Sequence, residues 1–143
     1  VGSEMCIRDS ITGSVGDVAV SVKNTVTYNV SVASGTNDYG TGNKYYIRSL
    51  SSSPSPTLRL TEGQVWVFDQ SDSSNSGHPF RFSTTPNGTH AGGSEYTTGV
   101  TTSGVPGQSG AFTRIEVAVG APTLYYYCSV HSGMGGIAYT PNA

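Results

Sequence analysis

The sequence predicts an all-β domain of about eight short strands, arranged as an antiparallel sandwich or barrel. Three observations support this prediction. Valine occurs 15 times and leucine only 4 times among the 143 residues, and the stiff, branched valine side chain favours pleated strands. Apolar and polar residues alternate with a period of two in several segments, which is typical of half-buried strands. Clusters of glycine, serine, asparagine and proline separate these segments and indicate turns.

The predicted strands follow one another from residue 18 to residue 140. Val18–Val22 and Val26–Val32 alternate cleanly, whereas Gln64–Asp69 is apolar on both faces, as expected for a central strand. The remaining predicted strands are Lys44–Ile47, Leu58–Leu60, Pro79–Ser83, Ala111–Val119, Thr123–Cys128 and Gly136–Thr140. Between them, Ser34–Asn43 is predicted to be a turn-rich connection and Ser49–Pro56 a loop.

The 27-residue segment Thr84–Gly110 lacks a clear strand pattern. Structureless loops of this length are uncommon in compact domains, so we expect a small strand or hairpin inside it. The segment contains His90, which we interpret as an exposed loop histidine because no second soft ligand lies beside it. The alternative is a weak surface copper site formed with Glu95.

The first ten residues differ in composition from the rest of the chain. They read VGSEMCIRDS and resemble translated sequencing adapter, of the kind found at the ends of reading frames from environmental DNA. The alternative is that they form an ordinary flexible N-terminus. In either case we exclude residues 1–10, including Cys6, from the fold and the functional interpretation. The prediction is a single domain over residues 11–143, with its core in 26–140, belonging to a chain that we expect to be a fragment of a larger protein.

Charge and motif content exclude several classes of function. The net charge is -2 and only 11% of residues are charged, so the electrostatic basis for nucleic-acid binding is missing. No apolar run approaches the roughly 20 residues that a membrane-spanning helix needs. The sequence has no Ser-His-Asp arrangement, phosphate loop or paired-carboxylate motif, and three histidines are too few for a trinuclear copper centre. We therefore expect no enzymatic activity from this chain alone.

One short segment carries metal-binding chemistry. The stretch YYYCSVHSGMGG places Cys128, His131 and Met134 in the pattern C-x2-H-x2-M. Thiolate, imidazole and thioether are soft ligands that favour copper, or zinc through the first two, over magnesium or calcium. A second imidazole is available from His78, which starts another predicted strand. Two histidines, one cysteine and a weak axial methionine form the ligand set of blue-copper electron-transfer sites.

Residues 26–140 resemble the cupredoxins, the plastocyanin and azurin type of small blue copper protein. The similarity is strongest over YYYCSVHSGMGGIAYT, and the ligand spacings resemble the short loop of the amicyanin branch. The resemblance implies a Greek-key β-sandwich that binds one copper ion through His78, Cys128 and His131, with Met134 as the axial ligand. It further implies one-electron transfer between Cu(I) and Cu(II) with a redox partner protein, in the periplasm, outside the cell or at its surface.

Two alternatives remain open at this stage. Cys128 is interpretable as a buried structural thiol, since free cysteine is often found in cores. The domain is also interpretable as a cell-surface or virion-surface interaction module that keeps the cupredoxin scaffold, with copper structural or absent.

The resemblance also implies details of the site's surroundings. In many cupredoxins the residue after the first histidine ligand donates a backbone N–H to the cysteine sulfur, but Pro79 has none. We therefore expect a more strongly donating thiolate and a lowered potential. Asn75 is a candidate for bracing the loop of His78. His131 is expected to be the partly exposed ligand, beside a patch of small residues formed by Ser132, Gly133, Gly135 and Gly136. Tyr127 is a candidate for a second exit for electrons, and packing within the sheet is the simpler interpretation of this residue.

Overall fold

The computed structural model describes residues 5–8 and 19–143. The predicted domain start at Ile11 and the predicted strand residue Val18 lie outside the described residues. The prediction that residues 1–10 are foreign to the domain stays a prediction. Within them, Met5–Arg8 pairs antiparallel with Ala19–Val22.

The described residues are all-β, as the sequence predicts. They contain twelve short strands and two 3₁₀ turns, Ser73–Asn75 and Gly88–Ala91. The strands are β1 Met5–Arg8, β2 Ala19–Val22, β3 Thr25–Asn29, β4 Ser31–Asn37, β5 Gly40–Tyr46, β6 Leu58–Arg59, β7 Val65–Asp69, β8 Phe80–Ser83, β9 Val100–Ser103, β10 Phe112–Glu116, β11 Leu124–Cys128 and β12 Gly136–Tyr139. Within this part of the chain, no helix is long and apolar enough to cross a membrane.

Two four-stranded sheets form the body of the domain. Their strand orders are β3-β7-β10-β9 and β6-β12-β11-β8. The β3–β7 and β6–β12 pairs are parallel, and the other pairs in these sheets are antiparallel. The sheets pack face to face, since Phe68 of β7 stacks on Phe80 of β8 with ring centroids 4.6 Å apart. This packing is that of a β-sandwich, whereas the Greek-key topology of the cupredoxins stays a prediction.

The core lies between the sheets and is rich in aromatic residues. Phe68, Phe80, Phe82 and Ile115 are fully buried there, together with the strand end that carries Cys128. The alternation predicted for Ala111–Val119 holds as far as Val117, which is buried, but Val119 lies beyond the end of β10 and is 81% exposed.

The segment Ser34–Asn43 is a β-hairpin, so the prediction of a turn-rich connection was wrong. Strands β4 and β5 pair continuously, from Ser31 opposite Tyr46 to Asn37 opposite Gly40. The sequence conceals these strands because small polar residues fill their outer halves and leave no apolar alternation to detect. The inner end of β5 then enters the core, where Lys44, Tyr45 and Tyr46 are buried.

The segment Thr84–Gly110 contains the small strand that the sequence predicts. Strand β9 pairs with β10 at the edge of the first sheet. The 3₁₀ turn Gly88–Ala91 packs instead against β11 of the second sheet, on the face that points away from the core, where Gly88 contacts the ring of Tyr127. The segment therefore reaches the strand that carries Cys128.

Candidate metal centre

Strand pairing brings His78 and Cys128 to the same end of the sandwich. Cys128 is the last residue of β11 and lies opposite Phe80 of β8. His78 comes two residues before Phe80, at the end of a short loop that follows the first 3₁₀ turn. His131 lies in the turn that leaves β11. Three side chains from two strand ends therefore converge although His78 and Cys128 are 50 residues apart.

The side chains of His78, Cys128 and His131 form a compact donor cluster. The Sγ atom of Cys128 lies 3.8 Å from Nδ1 of His78 and 3.9 Å from Nδ1 of His131. All three donor atoms lie within 4.8 Å of one another, which is close enough to hold one metal ion. Cys128 is a free, fully buried cysteine. The structure thus brings together three of the four ligands that the sequence predicts.

The cluster is asymmetric in its exposure to solvent. His78 is only 8% exposed and Cys128 is fully buried, whereas His131 is exposed. The sequence predicts that His131 is partly exposed, and in the structure this residue is exposed. The predicted patch of small residues is only partly present, because Ser132 is exposed but Gly133 and Gly135 are buried.

The pKa of His78 is lowered from its usual value. Burial is the main cause, because it disfavours the charged imidazolium, and the nearby His131 adds to the effect. A lowered pKa keeps the imidazole neutral, which is the form that binds a metal. His78 is therefore in the form that can bind a metal ion at neutral pH.

Met134 belongs to the same buried hydrophobic core as Cys128 and is 1% exposed. Its carbonyl oxygen accepts hydrogen bonds from the backbone N–H of Tyr45 and from the Ser55 hydroxyl, both at 3.0 Å. Glycine is required on both sides, since Gly133 has a φ of +83° and a Cβ at Gly135 would strike the Tyr126 backbone. The role of Met134 as the axial ligand stays a prediction.

The loop of His78 is held by a buried polar network. Gln70 donates through Nε2 to the carbonyl oxygen of His78 at 2.7 Å and to Oδ1 of Asn75 at 3.0 Å. The Tyr45 hydroxyl donates to the same His78 carbonyl at 2.8 Å. Asn75, the predicted brace of this loop, is fully buried and donates to the Val30 carbonyl at 2.8 Å. The side chains of Gln70, Tyr45 and Asn75 therefore hold the loop that carries His78 in place.

Tyr45 adds an uncharged phenol to the surroundings of Cys128. Burial raises the pKa of Tyr45 well above its usual value, and the neighbouring Cys128 thiol raises it further. Because the hydroxyl stays protonated, it can act as a hydrogen-bond donor at any physiological pH.

Two residues of the segment Thr84–Gly110 contact the site without having been predicted to do so. His90 places Nε2 at 2.7 Å from the carbonyl oxygen of Cys128. Asn87 accepts from the Gly133 N–H and donates to the Ser132 hydroxyl, both at 2.8 Å. The only local sequence signal is the Asn-Gly pair at 87–88, which indicates a turn but not the strand that the turn covers.

His90 is exposed, as predicted, but its position is more specific than the sequence indicates. The metal-binding cluster found among the described side chains does not include it. Glu95, its suggested partner in a surface site, pairs with Arg81 at 3.5 Å. His90 is therefore a neighbour of the cluster through the backbone of Cys128.

Tyr127 lies on the face of β11 opposite Cys128, as the alternation predicts, but it is not a surface residue. It is 1% exposed because the 3₁₀ turn Gly88–Ala91 covers its ring. The His90 ring meets it edge-on, with centroids 6.1 Å apart. Burial raises the pKa of Tyr127. Electrons leaving through Tyr127 would have to pass this turn before reaching solvent.

No family model matches the chain, and neither the curated proteins nor the solved structures include a match. The cupredoxin resemblance therefore depends on the C-x2-H-x2-M motif and on the residues around it. The assignment of chemistry depends on the geometry of His78, Cys128 and His131.

Proposed function

We propose that this chain is a blue-copper domain of cupredoxin type that carries single electrons. The main support is the buried Cys128 thiol, with an imidazole nitrogen on either side at 3.8 and 3.9 Å. One thiolate and two imidazoles are soft donors that favour copper. A copper ion bound there would supply the one-electron Cu(I)/Cu(II) couple.

The donor separations suit a single metal ion. With metal–nitrogen and metal–sulfur bonds of about 2.05 and 2.3 Å, bond angles of about 109–120° separate the donors by about 3.6–3.8 Å, and the separations in the structure are 3.8 and 3.9 Å. The chemistry of the ligand set favours copper over zinc, because a methionine thioether suits copper and adds little for zinc.

Each residue of the site has a distinct role in this proposal. Cys128 and His78 hold the ion from the buried side, where the apolar core excludes water. His131 holds it from the exposed side and offers the short route for electrons to a redox partner protein. Met134 would supply the thioether ligand. We assign the domain to the periplasm, the cell exterior or the cell surface, where the family works.

The test is to add Cu(II) to the full chain and record its visible spectrum. We expect an intense thiolate-to-copper charge-transfer band that Cys128→Ser abolishes and that His90→Gln, the matched control outside the donor cluster, retains. A colourless protein without bound copper, or one that prefers Zn(II) in direct competition, would contradict the proposal. Voltammetry then tests the carrier function, because bound copper without a reversible one-electron wave would leave a structural role only.

A further inference from the structure

Lys44 lies buried beneath the loop that carries His131 and Met134. Its side chain is on β5 and is 3% exposed. The Nζ atom donates to the carbonyl oxygen of Gly133 at 2.7 Å. Gly133 lies between the two predicted ligands in sequence, so the ammonium group contacts the ligand loop itself.

The positive charge of Lys44 has no carboxylate partner among the described side chains. The ion pairs found there involve Lys23, Arg81 and Arg114 instead. Lysine is almost never fully buried unless it is paired, and burial lowers the pKa of Lys44 accordingly. The carbonyl of Gly133 compensates the charge only in part.

A hydrogen bond alone does not account for a lysine at this position. Asn37 already donates to the same Gly133 carbonyl through Nδ2 at 2.9 Å. Met134, the next residue, is held by Tyr45 and Ser55. The loop is thus fixed by neutral donors, and what Lys44 adds is a buried positive charge against the loop that carries His131 and Met134.

We propose that the charge of Lys44 raises the reduction potential of the copper centre. This inference rests on the proposed function. The bound ion carries one positive charge less in the reduced state than in the oxidised state, so a neighbouring cation disfavours Cu(II) more than Cu(I). Because the charge is buried, dissolved salt screens it only weakly.

The test compares Lys44→Met with Lys23→Met in the copper-loaded full chain. Both variants remove one positive charge, but Lys23 is 47% exposed and pairs with Glu116. We expect Lys44→Met to reduce the ratio of Cu(I) to Cu(II) affinity on the order of tenfold, the size expected for a unit charge at roughly 10 Å and an effective dielectric constant of about 20. A tenfold change equals about 59 mV for a one-electron couple. Lys23→Met should leave the ratio within about twofold.

Two further variants separate the charge from the hydrogen bond. Lys44→Gln keeps a hydrogen-bond donor for the Gly133 carbonyl but removes the charge, so it should lower the reduction potential as Lys44→Met does. Lys44→Arg keeps the charge and should have the reduction potential of the wild type. The shift in Lys44→Met should persist at high ionic strength. Equal shifts in Lys44→Met and Lys23→Met, or a wild-type potential in Lys44→Gln, would overturn the inference.

A substitution at a neighbouring residue provides a second test if the Lys44 variants do not fold. Asn37→Asp places a carboxylate beside the ammonium and should lower the potential, whereas Asn43→Asp adds the same charge at an exposed position of the same hairpin. Equal potentials in the two variants would overturn the inference. The charge-transfer band of the wild type distinguishes the two proposals. If the band is absent, the blue-copper function is contradicted. If the band is present but the variants do not shift the reduction potential, only the role of Lys44 is contradicted.

Discussion

The Nε2 atom of His90 lies 2.7 Å from the carbonyl oxygen of Cys128. Since a carbonyl oxygen can only accept, Nε2 carries the hydrogen in this contact. The two residues are 38 positions apart, and the contact connects the 3₁₀ turn Gly88–Ala91 to the strand end that carries the thiol. The turn therefore supports the candidate metal centre from the outer face of the second sheet.

Removing this hydrogen bond should weaken the fold measurably. We expect His90→Ala to lower the free energy of unfolding by about 1 kcal/mol, the net value of one hydrogen bond. His90→Gln retains a donor and should recover part of the loss. Urea unfolding of the metal-free chain measures both variants, and a His90→Ala protein as stable as the wild type would show that the contact contributes nothing.

The close packing of Gly88 on Tyr127 should make position 88 intolerant of a side chain. A Cβ on Gly88 would overlap the Tyr127 ring, whereas a Cβ on Gly92 would meet no atom within 4 Å. Both glycines have positive φ, +55° and +85°, so both substitutions carry a backbone cost of about 1–2 kcal/mol. Gly88→Ala should cost about 1–3 kcal/mol more because of overpacking. Thermal or urea unfolding compares the pair, and equal losses would refute this explanation.

The buried side-chain amide of Gln70 should contribute more to stability than that of the half-buried Gln64. Gln70→Met leaves the Phe80 N–H and Oδ1 of Asn75 without their partner, and each such group costs about 1–3 kcal/mol. Gln64→Met makes the same chemical change where the side chain accepts only one exposed N–H, from Asn24, and should alter stability by less than about 0.5 kcal/mol. Similar losses of unfolding free energy in the two variants would contradict the network's role.

Restoring a backbone N–H at position 79 should raise the reduction potential. Among the described residues, the backbone N–H that reaches the Cys128 sulfur is that of His131, at 3.4 Å, and Pro79 supplies none. In Pro79→Asn, one added hydrogen bond of about 1 kcal/mol corresponds to roughly 45 mV for a one-electron couple. Pro79→Ala adds the same N–H without a polar side chain and should shift the potential similarly. Voltammetry of the copper-loaded variants decides, since an unchanged or lower potential would refute the argument.

The sequence predicts the parts of this protein that have a local signature. Period-two alternation identified the strand Thr123–Cys128, and ligand spacing identified Cys128 and His131. The need for a second imidazole identified His78, and the structure brings these three donors together. These features depend on residues close in sequence, on strand ends that pair as neighbours, or on a ligand set that is recognisable by its chemistry.

The remaining features depend on contacts that no local pattern encodes. Lys44 and Gly133 are 89 residues apart, and Asn87 and Gly133 are 46 apart. A buried lysine and a loop asparagine look like surface residues in sequence, because burial is decided by which strands pack together. The β4–β5 hairpin was missed for a related reason, since its stability comes from pairing and from the burial of Tyr45 and Tyr46 rather than from alternation.

Four residues of the loop from Cys128 to Met134 form hydrogen bonds with residues elsewhere in the chain. His90 contacts the carbonyl of Cys128, Asn87 the side chain of Ser132 and the N–H of Gly133, and Tyr45 and Ser55 the carbonyl of Met134. These hydrogen bonds restrict the movement of the loop, so its donor atoms could adjust little to the different bond lengths that two oxidation states of a bound metal ion prefer. In the proposed copper centre the reorganisation energy would then be small, and an electron would enter or leave with little movement of the protein.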